Sequence, residues 1–472
     1  MPRPGRPASS DILGGVRIPR SLCALALALA CSRDAPPARP NLLLVSADTL
    51  RPDRLACYGG PETAGTGICS LALHGARFAW AFSTAPSTAP SVASILTSRH
   101  PSQHGVGELA DTRLDDAAET VAEVLAGAGF ATAAFVSNPV LQRPRNLGQG
   151  FEIYDDRMHA RERNRPLRER DAAATTDAAL AWARVVRAPW FLWVHYQDPH
   201  GPYEPPGAPP ARDAPGAEAL PLLADHSGLG GIPAYQQLPG ARSPEAYARR
   251  YLDEVRHLDL HVARLVAGLD ALGARPAVLF TADHGEAFGE DGYWFAHGHS
   301  LGLDQIRVPL LVRPSTPARP FVFRAAVSTL DVAPTLLRLA GLAAPAAFEG
   351  RPLPLAETDA ADLERVIFAE HRKRLAALRG DRYLARDREG FVAPEPDPVS
   401  GGRWLPLPPR SARLADDGAG LPAYEPVTGD GPAAALSAAL ARFAARTPAA
   451  PGATAPLSDE ARAALRALGY LE

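Results

Sequence analysis

Residues suited to metal-assisted hydrolysis occur in three separate segments of the chain. Asp48 ends the apolar segment NLLLVSAD, Asp283 and His284 end AVLFTADH, and Thr88 lies in STAPSTAPSV. Two carboxylates, an imidazole and a hydroxyl oxygen form a suitable donor set for a divalent cation. We therefore predict a metal site whose ligands are Asp48, Thr88, Asp283 and His284.

Thr88 has two interpretations. Pro90 suits the first position of a helix, and an apolar period of 3.6 residues follows it through Val92, Ile95 and Leu96. Thr88 then comes just before the predicted helix, where a hydroxyl residue usually acts as a cap. The same position lies beside the N–H groups that bind anions, and a metal ion lowers the pKa of a bound oxygen by many units. Because the carboxylates and imidazole accompany it, we predict that Thr88 is the nucleophile of a hydrolase.

Several histidines follow the apolar segments. His200 comes after PWFLWV, and His297 lies in a glycine-containing loop, so either could protonate a leaving oxygen. The spacing of His297 and His299 leaves open whether they are ligands, acids or substrate contacts. A second metal site is a further possibility, built from His195, Asp198, His297 and His299.

Four short apolar segments are typical of buried strands. They cover Asn41 to Ser46, ATAAFV, Phe191 to Val194, and Ala277 to Phe280, and IRVPLLV reads as another strand. Helical patterns separate the first four, which indicates βαβ units. We predict an α/β fold with a large mixed, mostly parallel sheet flanked by helices. Ligands bind beyond the carboxyl ends of such strands, where all four segments end in polar residues.

The region after His200 has two parts. Glu204 to Arg242 is rich in Pro, Gly and Ala and is predicted to be a long loop that rims the site. A helix should follow, with Ser243 as its cap and Pro244 in its first turn. Its apolar stripe is Tyr251, Val255, Leu258, Val262 and Leu265, and His257 and His261 are expected on the solvated or boundary face.

Composition excludes some classes of function. The 472 residues contain 46% hydrophobic residues, enough for a sizeable core, and carry a formal net charge of −3. That charge argues against a nucleic-acid partner. Beyond the first 31 residues the cysteines are Cys57 and Cys69, which could pair in an oxidising compartment or remain as buried thiols. No CxxC pair is present, so a cysteine-based zinc site is excluded.

The N-terminus reads as a targeting segment. Arginines precede the apolar run LCALALALA, which is too short to span a membrane and ends at Cys31. We predict a signal peptide over residues 1–31, of the bacterial lipoprotein type, with a linker over 32–39. The expected location is the cell envelope, periplasmic or at the surface, and otherwise secretion. Membrane contact is expected only through a lipid on Cys31.

Six motifs in order resemble the sulfatase family within the alkaline-phosphatase superfamily. They are NLLLVSADTLRPDRLACYG, PSVASILTSRHPSQHGV, WVHYQDPHGPYEPP, LFTADHGEAFGEDG, HGHSLGLDQIRVPLLV and the terminal ALRALGYLE. The resemblance implies a catalytic domain over residues 40–342 and a small C-terminal α+β subdomain over 343–472. It also implies a Ca²⁺, Zn²⁺ or Mn²⁺ cofactor and an ester substrate, either a small molecule or a glycan or lipid headgroup.

The resemblance assigns roles and also shows departures. Asp48, Asp283 and His284 match the family's metal ligands, and His200 matches its active-site histidine. His297 lies close to the position where many sulfatases have a substrate-binding lysine. Thr88 stands where sulfatases carry the Cys or Ser that becomes formylglycine, and Val92 replaces an arginine. Asn138 lies in FVSNP, where the family has a Lys and a His. The substrate contacts predicted from this pattern are Asn138, His195 and His299.

Relatives in the superfamily that use an unmodified threonine act on phosphoesters. The sequence therefore predicts a sulfatase-like, metal-dependent hydrolase of a sulfate or phosphate mono- or diester. Two alternatives remain. One is a non-catalytic, surface-anchored binding protein on the same fold, and the other is a phosphoethanolamine-type transferase, whose usual membrane helices are not evident in this sequence.

Overall fold

The computed structural model of the protein describes residues 39–107, 112–161, 168–359, 365–388, 409–414, 421, 424–426 and 431–446. The strands in these residues are Leu42–Ala47 (β1), Ala76–Phe82 (β2), Ala131–Val136 (β3), Ile153–Asp155 (β4), Ala160–Arg161 (β5), Arg168–Glu169 (β6), Trp190–Tyr196 (β7), Ala277–Ala282 (β8), Arg307–Val308 (β9), Leu310–Arg313 (β10), Phe321–Ser328 (β11), Ile367–Glu370 (β12), Arg374–Arg379 (β13), Arg382–Asp387 (β14), Arg410–Arg413 (β15) and Glu425–Pro426 (β16).

Helices lie between most of these strands. The α-helices are Thr66–Cys69 (α1), Thr88–Thr97 (α2), Pro101–His104 (α3), Val121–Gly127 (α4), Ala172–Ala183 (α5), Pro244–Ala271 (α6), Leu303–Ile306 (α7), Val332–Leu339 (α8) and Pro432–Ala444 (α9). Short 3₁₀ turns cover Pro52–Arg54, Ala56–Tyr58, Ser70–His74, Pro139–Leu141, Arg143–Arg145, Ala234–Gln236, Glu290–Gly292 and Thr329–Asp331.

The main sheet has the predicted α/β arrangement. Its strand order in the described residues is β11-β2-β10-β8-β1-β7-β3-β4, and β9 pairs with β2. The central pairs β8–β1, β1–β7 and β7–β3 are all parallel, while β10 is antiparallel to both of its neighbours. The predicted mixed, mostly parallel sheet is therefore confirmed. Every residue of β1, β7 and β8 is buried, as expected of parallel strands covered on both faces.

The four predicted buried strands are neighbours in this sheet. In the register, Ala47 of β1 lies opposite Tyr196 of β7 and Ala282 of β8, and Val136 of β3 lies opposite His195. The carboxyl ends of β8, β1, β7 and β3 consequently meet at one edge. The polar residues that follow them are brought together there, as the sequence predicted.

Two local predictions were wrong. The helix α2 begins at Thr88 and not at Pro90, and Ser87 is its N-cap. Pro90 therefore occupies a later position of the first turn, which proline also tolerates because the first N–H groups of a helix have no intrahelical partner. The segment IRVPLLV forms two strands, β9 and β10, since Pro309 lacks the N–H that a continuous ladder requires.

The long helix α6 follows its predicted pattern except at two histidines. Ser243 caps it by accepting a hydrogen bond from the Ala246 N–H, at 3.2 Å. The predicted apolar stripe is buried along its whole length. His261, however, is only 9% exposed, and the side chain of His257 is 14% exposed. The expectation that both histidines face solvent or a boundary is wrong for His261, which is buried.

The C-terminal residues form a small antiparallel sheet. Its order is β12-β13-β14-β15-β16, with a turn at Gly380 and Asp381 between β13 and β14. The helix α9 packs on it through Leu436, Leu440 and Phe443. The predicted small α+β element at the C-terminus is therefore present, and its boundary between residues 342 and 343 stays a prediction. The helix suggested by the terminal motif ALRALGYLE lies outside the described residues.

The two cysteines that follow the predicted signal peptide are paired. Cys57 and Cys69 form a disulfide with a Cα–Cα distance of 5.7 Å, which decides between the two possibilities left open above. The predicted signal peptide and the first residues of the linker lie outside the described residues. Within the described residues, no helix is both long enough and apolar enough to cross a bilayer.

Candidate active site

Asp48 lies at the centre of the polar edge. It follows β1, and its N–H donates to the Tyr196 carbonyl oxygen at the end of β7, at 2.9 Å. Asp48 is fully buried. Burial would raise the pKa of its carboxyl, but the nearby His200, His195 and His284 together hold that pKa below its usual value. The structure therefore keeps this carboxylate ionised.

Asp283 faces Asp48 from the end of β8. Its Oδ1 accepts hydrogen bonds from the N–H groups of His284 and Thr49, at 2.7 and 3.3 Å. Its Oδ2 is buried and has no hydrogen-bond partner. Burial and the negative charge of Asp48 raise the pKa of the Asp283 carboxyl well above its usual value. Ligand oxygens of Asp48 and Asp283 lie within 4.8 Å of each other. Two buried carboxylates this close can both ionise only beside a positive charge.

His195 joins this pair from within β7. Its Nδ1 is hydrogen-bonded to Ser46 Oγ at 2.8 Å, and its Nε2 lies 4.0 Å from Asp48 Oδ2. That Nε2 is buried without a hydrogen-bond partner. His195 was predicted as a substrate contact, but the structure groups it with the two carboxylates. In metal sites, a hydrogen bond to one ring nitrogen of a histidine commonly orients the other nitrogen towards the metal.

The donor set fits a divalent cation. Among the described residues, Asp48, His195 and Asp283 are the one group of three or more His, Cys, Asp or Glu whose ligand atoms lie within 4.8 Å of one another. Two of the buried atoms in this group, Asp283 Oδ2 and His195 Nε2, have no hydrogen-bond partner. A cation between them would satisfy both atoms and offset the repulsion between the carboxylates. Mixed oxygen and imidazole donors suit first-row metals such as Mn²⁺ and Zn²⁺.

Thr88 and His284 complete the cluster. Thr88 Oγ1 lies 3.2 Å from His284 Nε2 and 3.5 Å from each carboxylate oxygen of Asp48. His284 Nδ1 faces the Gly285 carbonyl oxygen at 2.9 Å, an arrangement that places its proton on Nδ1 and leaves Nε2 as an acceptor. Thr88 is fully buried at the first turn of α2. Its hydroxyl is directed at the predicted metal ligands, and Ser87 takes the N-cap position.

Asn138 contacts Asp48 directly. It follows β3, and its side-chain amide donates to Asp48 Oδ2 while its Oδ1 accepts from the Val140 N–H at 2.7 Å. Both ends of the amide are therefore engaged within the protein. The structure places this predicted substrate contact in a supporting position, where it orients the Asp48 carboxylate.

A histidine pair and a buried glutamate lie beside the cluster. The His297 ring packs against those of His284 and His200, with centroid distances of 4.5 and 5.2 Å. Glu286 Oε1 lies 3.0 Å from His297 Nδ1, and Tyr203 donates to its Oε2 at 3.1 Å. Burial raises the pKa of Glu286 to about 7. A carboxylate behind an imidazole fixes its orientation, as in acid–base catalysis.

Glu286 was not predicted from the sequence. It lies two residues after His284 in the segment ADHGEAF, close enough for the same loop to carry both side chains. Its partner His297 was recognised by residue type alone. The signal available in the sequence was the proximity of an acidic residue to a predicted ligand, which by itself also fits a solvent-exposed turn.

The predicted second metal site does not form. His195 lies with Asp48, His297 with Glu286, and Asp198 Oδ1 lies 3.9 Å from His257 Nε2. His299 stacks on Tyr293 at 3.6 Å, and its Nε2 contacts Gln305 at 2.8 Å. The four residues therefore face different neighbours, and the structure does not bring His299 into the Asp48 cluster.

Comparison with known proteins identifies the family. The family model described as Sulfatase matches residues 40–342, which include Asp48, Thr88, Asp283 and His284. The chain belongs to the sulfatase family. The main sheet and its edge cluster lie largely within the matched residues, and the cluster contains a possible metal site at Asp48, His195 and Asp283.

Two curated sulfatases are similar in sequence. The choline-sulfatase of Rhizobium meliloti (strain 1021) is 29% identical over 177 residues, 33% of this chain and 32% of that protein. The ulvan-active sulfatase of Formosa agariphila is 26% identical over 344 residues, 67% of this chain and 65% of that protein. The chain thus spans about a third and just under two thirds of the lengths of these two relatives.

Solved structures share the fold at low identity. The phosphonate monoester hydrolase of Agrobacterium radiobacter is 19% identical with a TM-score of 0.61, covering 86% of this chain and 95% of that one. The phosphonate monoester hydrolase SpPMH of Silicibacter pomeroyi is 20% identical with a TM-score of 0.59, covering 86% and 94%. These similarities support the fold, and they occur among hydrolases of more than one ester class.

Proposed function

We propose that this sulfatase-family protein hydrolyses a sulfate or phosphate mono- or diester with Thr88 as its nucleophile. The supporting observation is the position of Thr88 Oγ1, 3.2 Å from His284 Nε2 and 3.5 Å from both Asp48 oxygens. A hydroxyl that acts only as a helix cap would face the backbone N–H groups of its own first turn. This hydroxyl faces two predicted metal ligands.

The side chains around Thr88 each have a task in this reaction. Asp48 and His284 orient the hydroxyl, and a carboxylate oxygen of Asp48 accepts its proton. The N-terminus of α2 attracts the anionic ester. Asp48, His195, Asp283 and His284 would hold a divalent cation, which would supply positive charge beside Thr88 Oγ1 and beside the ester. His200 or His297, which pack against each other, delivers a proton to the departing alcohol oxygen.

Phosphoesters are the favoured substrates. Sulfatases convert a Cys or Ser at this position to formylglycine, and a threonine cannot be converted in this way. In the first step Thr88 Oγ bonds to phosphorus, and the bond from phosphorus to the alcohol oxygen breaks. In the second step a water attacks phosphorus, the bond to Thr88 Oγ breaks, and the hydroxyl takes back a proton.

The substrate and location belong to the same proposal. The ester is a small molecule or a glycan or lipid headgroup, and the protein acts in the cell envelope, attached through a lipid at Cys31, or is secreted. The disulfide between Cys57 and Cys69 supports export, since such bonds persist in oxidising compartments. No nucleic-acid partner is expected, because the net charge is −3.

A paired turnover assay tests this function. The protein is stripped of metal, reloaded separately with Ca²⁺, Zn²⁺ or Mn²⁺, and given an aryl sulfate, an aryl phosphate and an aryl phosphodiester. Thr88→Ala should lower metal-dependent phosphoester turnover by at least about a thousandfold. Thr97→Ala is the matched control, because Thr97 lies in the same buried helix and its hydroxyl donates only to the Ala93 carbonyl oxygen, at 2.7 Å.

The outcomes separate the hypotheses. Turnover that survives Thr88→Ala means that Thr88 is not the nucleophile. Sulfate turnover in preference to phosphoester turnover rejects the favoured substrate class. Metal binding without turnover of any of the three esters favours the non-catalytic binding protein.

A further inference from the structure

A second cluster of ionisable side chains lies between the end of β7 and α6. Asp198 comes two residues after β7 and faces His257 across the helix surface, with 3.9 Å between Asp198 Oδ1 and His257 Nε2. Glu254, His257 and His261 follow one another at spacings of three and four residues on α6. Residues with these spacings share one face of a helix. Two carboxylates and two imidazoles therefore converge here.

Three polar atoms of this cluster have no hydrogen-bond partner. Asp198 is 8% exposed and His261 is 9% exposed, and both belong to the protein interior. Three of their atoms are buried without a partner, namely Asp198 Oδ2, His257 Nε2 and His261 Nδ1. The separation of 3.9 Å between Asp198 and His257 is too long for a direct hydrogen bond. Three such atoms in one cluster require an explanation, and a bound ion is one that would satisfy all of them.

The electrostatic environment suits a cation. Burial raises the pKa of Asp198 to about 7, and burial together with the charge of Asp198 raises that of Glu254 well above its usual value. Burial lowers the pKa of His257, and burial and His257 lower that of His261 to about 4. The imidazoles are consequently in the neutral form that ligates metal. A dication would also favour ionisation of both carboxylates.

We propose that Asp198, His257 and His261 bind a transition-metal dication such as Zn²⁺, with Glu254 as an additional acidic ligand. Two imidazoles with carboxylates select Zn²⁺, Co²⁺ or Ni²⁺ over Ca²⁺ and Mg²⁺, which prefer oxygen alone. The ligand atoms of the Asp48 cluster all lie within 4.8 Å of one another, whereas those of Asp198, His257 and His261 do not. The imidazole rings must therefore rotate as the ion binds. His257, whose side chain is 14% exposed, lies on the side from which an ion can enter.

This site is separate from the one at Asp48 and shares no ligand with it. Asp198 lies between His195 and His200 in the chain, so an ion that joins Asp198 to α6 would fix the segment that carries His200. The ion has a structural role of this kind and takes no part in the bond changes at Thr88. The inference therefore does not depend on the proposed function.

Metal stoichiometry tests the proposal on the full chain. The protein is stripped with a chelator and titrated with Co²⁺, and the d–d absorption and bound metal are measured. The wild type is expected to bind two ions. The double variant His257→Ala/His261→Ala is expected to lose the ion at Asp198, and Asp283→Asn is expected to lose the ion at Asp48. Each should therefore bind one ion, and the triple variant that combines the three substitutions should bind none. His74→Ala, at an exposed histidine, is the control for nonspecific binding.

A second variant guards against misfolding. Asp198→Asn preserves side-chain shape and should weaken Co²⁺ binding at this site at least about tenfold. Co²⁺ should also raise the unfolding temperature of Asp283→Asn, but not that of the triple variant Asp283→Asn/His257→Ala/His261→Ala. If the double variant and Asp198→Asn both bind as much Co²⁺ as the wild type, with unchanged affinity, the proposal is wrong.

Discussion

Two buried charged regions of this protein differ in how their charges are balanced. At the sheet edge, Asp48 and Asp283 face each other, and Asp283 Oδ2 has no partner. Shortly after Asp48 in the chain, Arg51 is 2% exposed, and its guanidinium is paired with two carboxylates. It donates to both oxygens of Asp53 and to Glu290 Oε1, each at 2.9 Å.

The difference separates support from function. The Arg51 group contains its own counter-charges, so it is complete within the chain and holds together the segments after β1 and β8. The Asp48 cluster sets two carboxylates against each other, and a bound cation would offset their repulsion. Burial alone therefore does not indicate a functional site. The informative feature is a buried set of like charges with orphaned atoms.

The largest effect is expected from Asp283→Asn. Loss of this ligand should lower metal affinity and reduce metal-dependent turnover by at least about a thousandfold. In the stripped protein, however, the variant should be no less stable than the wild type, because one of two repelling carboxylates has been removed. Metal titration and urea unfolding of the stripped proteins measure the two effects. Asp270→Asn, at a partly exposed ion pair, is the control. A large loss of stability in the stripped variant would show that Asp283 has a structural role.

Arg51→Met should have the opposite pattern. Breaking a buried ion pair leaves Asp53 and Glu290 uncompensated and costs about 3–5 kcal/mol of unfolding free energy. Metal affinity at Asp48 should change little. Urea unfolding measures the loss, and Arg256→Met, at an exposed pair on α6, should cost less than about 1 kcal/mol. Equal losses in the two variants would mean that the Arg51 group is not the support described here.

Asp304 tests a buried acid near the Arg51 group, and its Oδ1 has no hydrogen-bond partner. Burial and the negative charge of Glu290 raise its pKa to about 7. Because the folded pKa lies above the unfolded value of about 3.9, its contribution to stability is complete below about pH 4 and is lost as the pH rises through about 7. Relative to Asp304→Asn, the wild type should lose on the order of 4 kcal/mol over that range. Urea unfolding at several pH values measures this, and parallel curves for the two proteins would contradict it.

The disulfide should have the smallest effect of the four. Cys57→Ser/Cys69→Ser removes a link that closes a sequence separation of 12 residues, and a loop of about 15 residues contributes about 3 kcal/mol. Thermal unfolding of the wild type with and without reductant, beside the double variant, measures the loss. The bond lies outside both charged regions, so metal affinity should be unchanged. A change in metal affinity would couple the disulfide to the site.

The sheet and its polar edge could be predicted because strand length and apolar character are local properties. Asp48 and Asp283 follow their strands directly, so adjacency of the strands is sufficient to bring them together. The start of α2 could not be fixed in the same way. Ser87 and Thr88 are both hydroxyl residues, and Pro90 is compatible with several positions in the first turn. Tertiary contacts with Asp48 and His284 decide between them.

The roles of the histidines depended on contacts over long sequence separations. His195 is directed at Asp48 by the register of β7 against β1, in which it lies opposite Ser46. His261 lies next to the predicted stripe of α6, and its burial follows from packing against segments far away in the chain, such as the one that carries Thr176. No periodic pattern contains this information. Residue type identified the histidines as candidates, and only the fold determines which neighbours each of them contacts.

The position of β1 in the sheet has a consequence for folding. β1 pairs on both sides, with β7 and β8, whose residues lie about 150 and 235 positions later in the chain; Leu42, for example, faces Phe191 and Ala277. During synthesis at roughly 5–20 residues per second, β1 would wait roughly 10–50 s for its second partner. Its apolar residues and unpaired backbone groups are exposed during that interval, and long-range parallel pairing is slow even afterwards. The strand that contributes Asp48 to the site is thus also a segment that needs protection from aggregation while the protein folds.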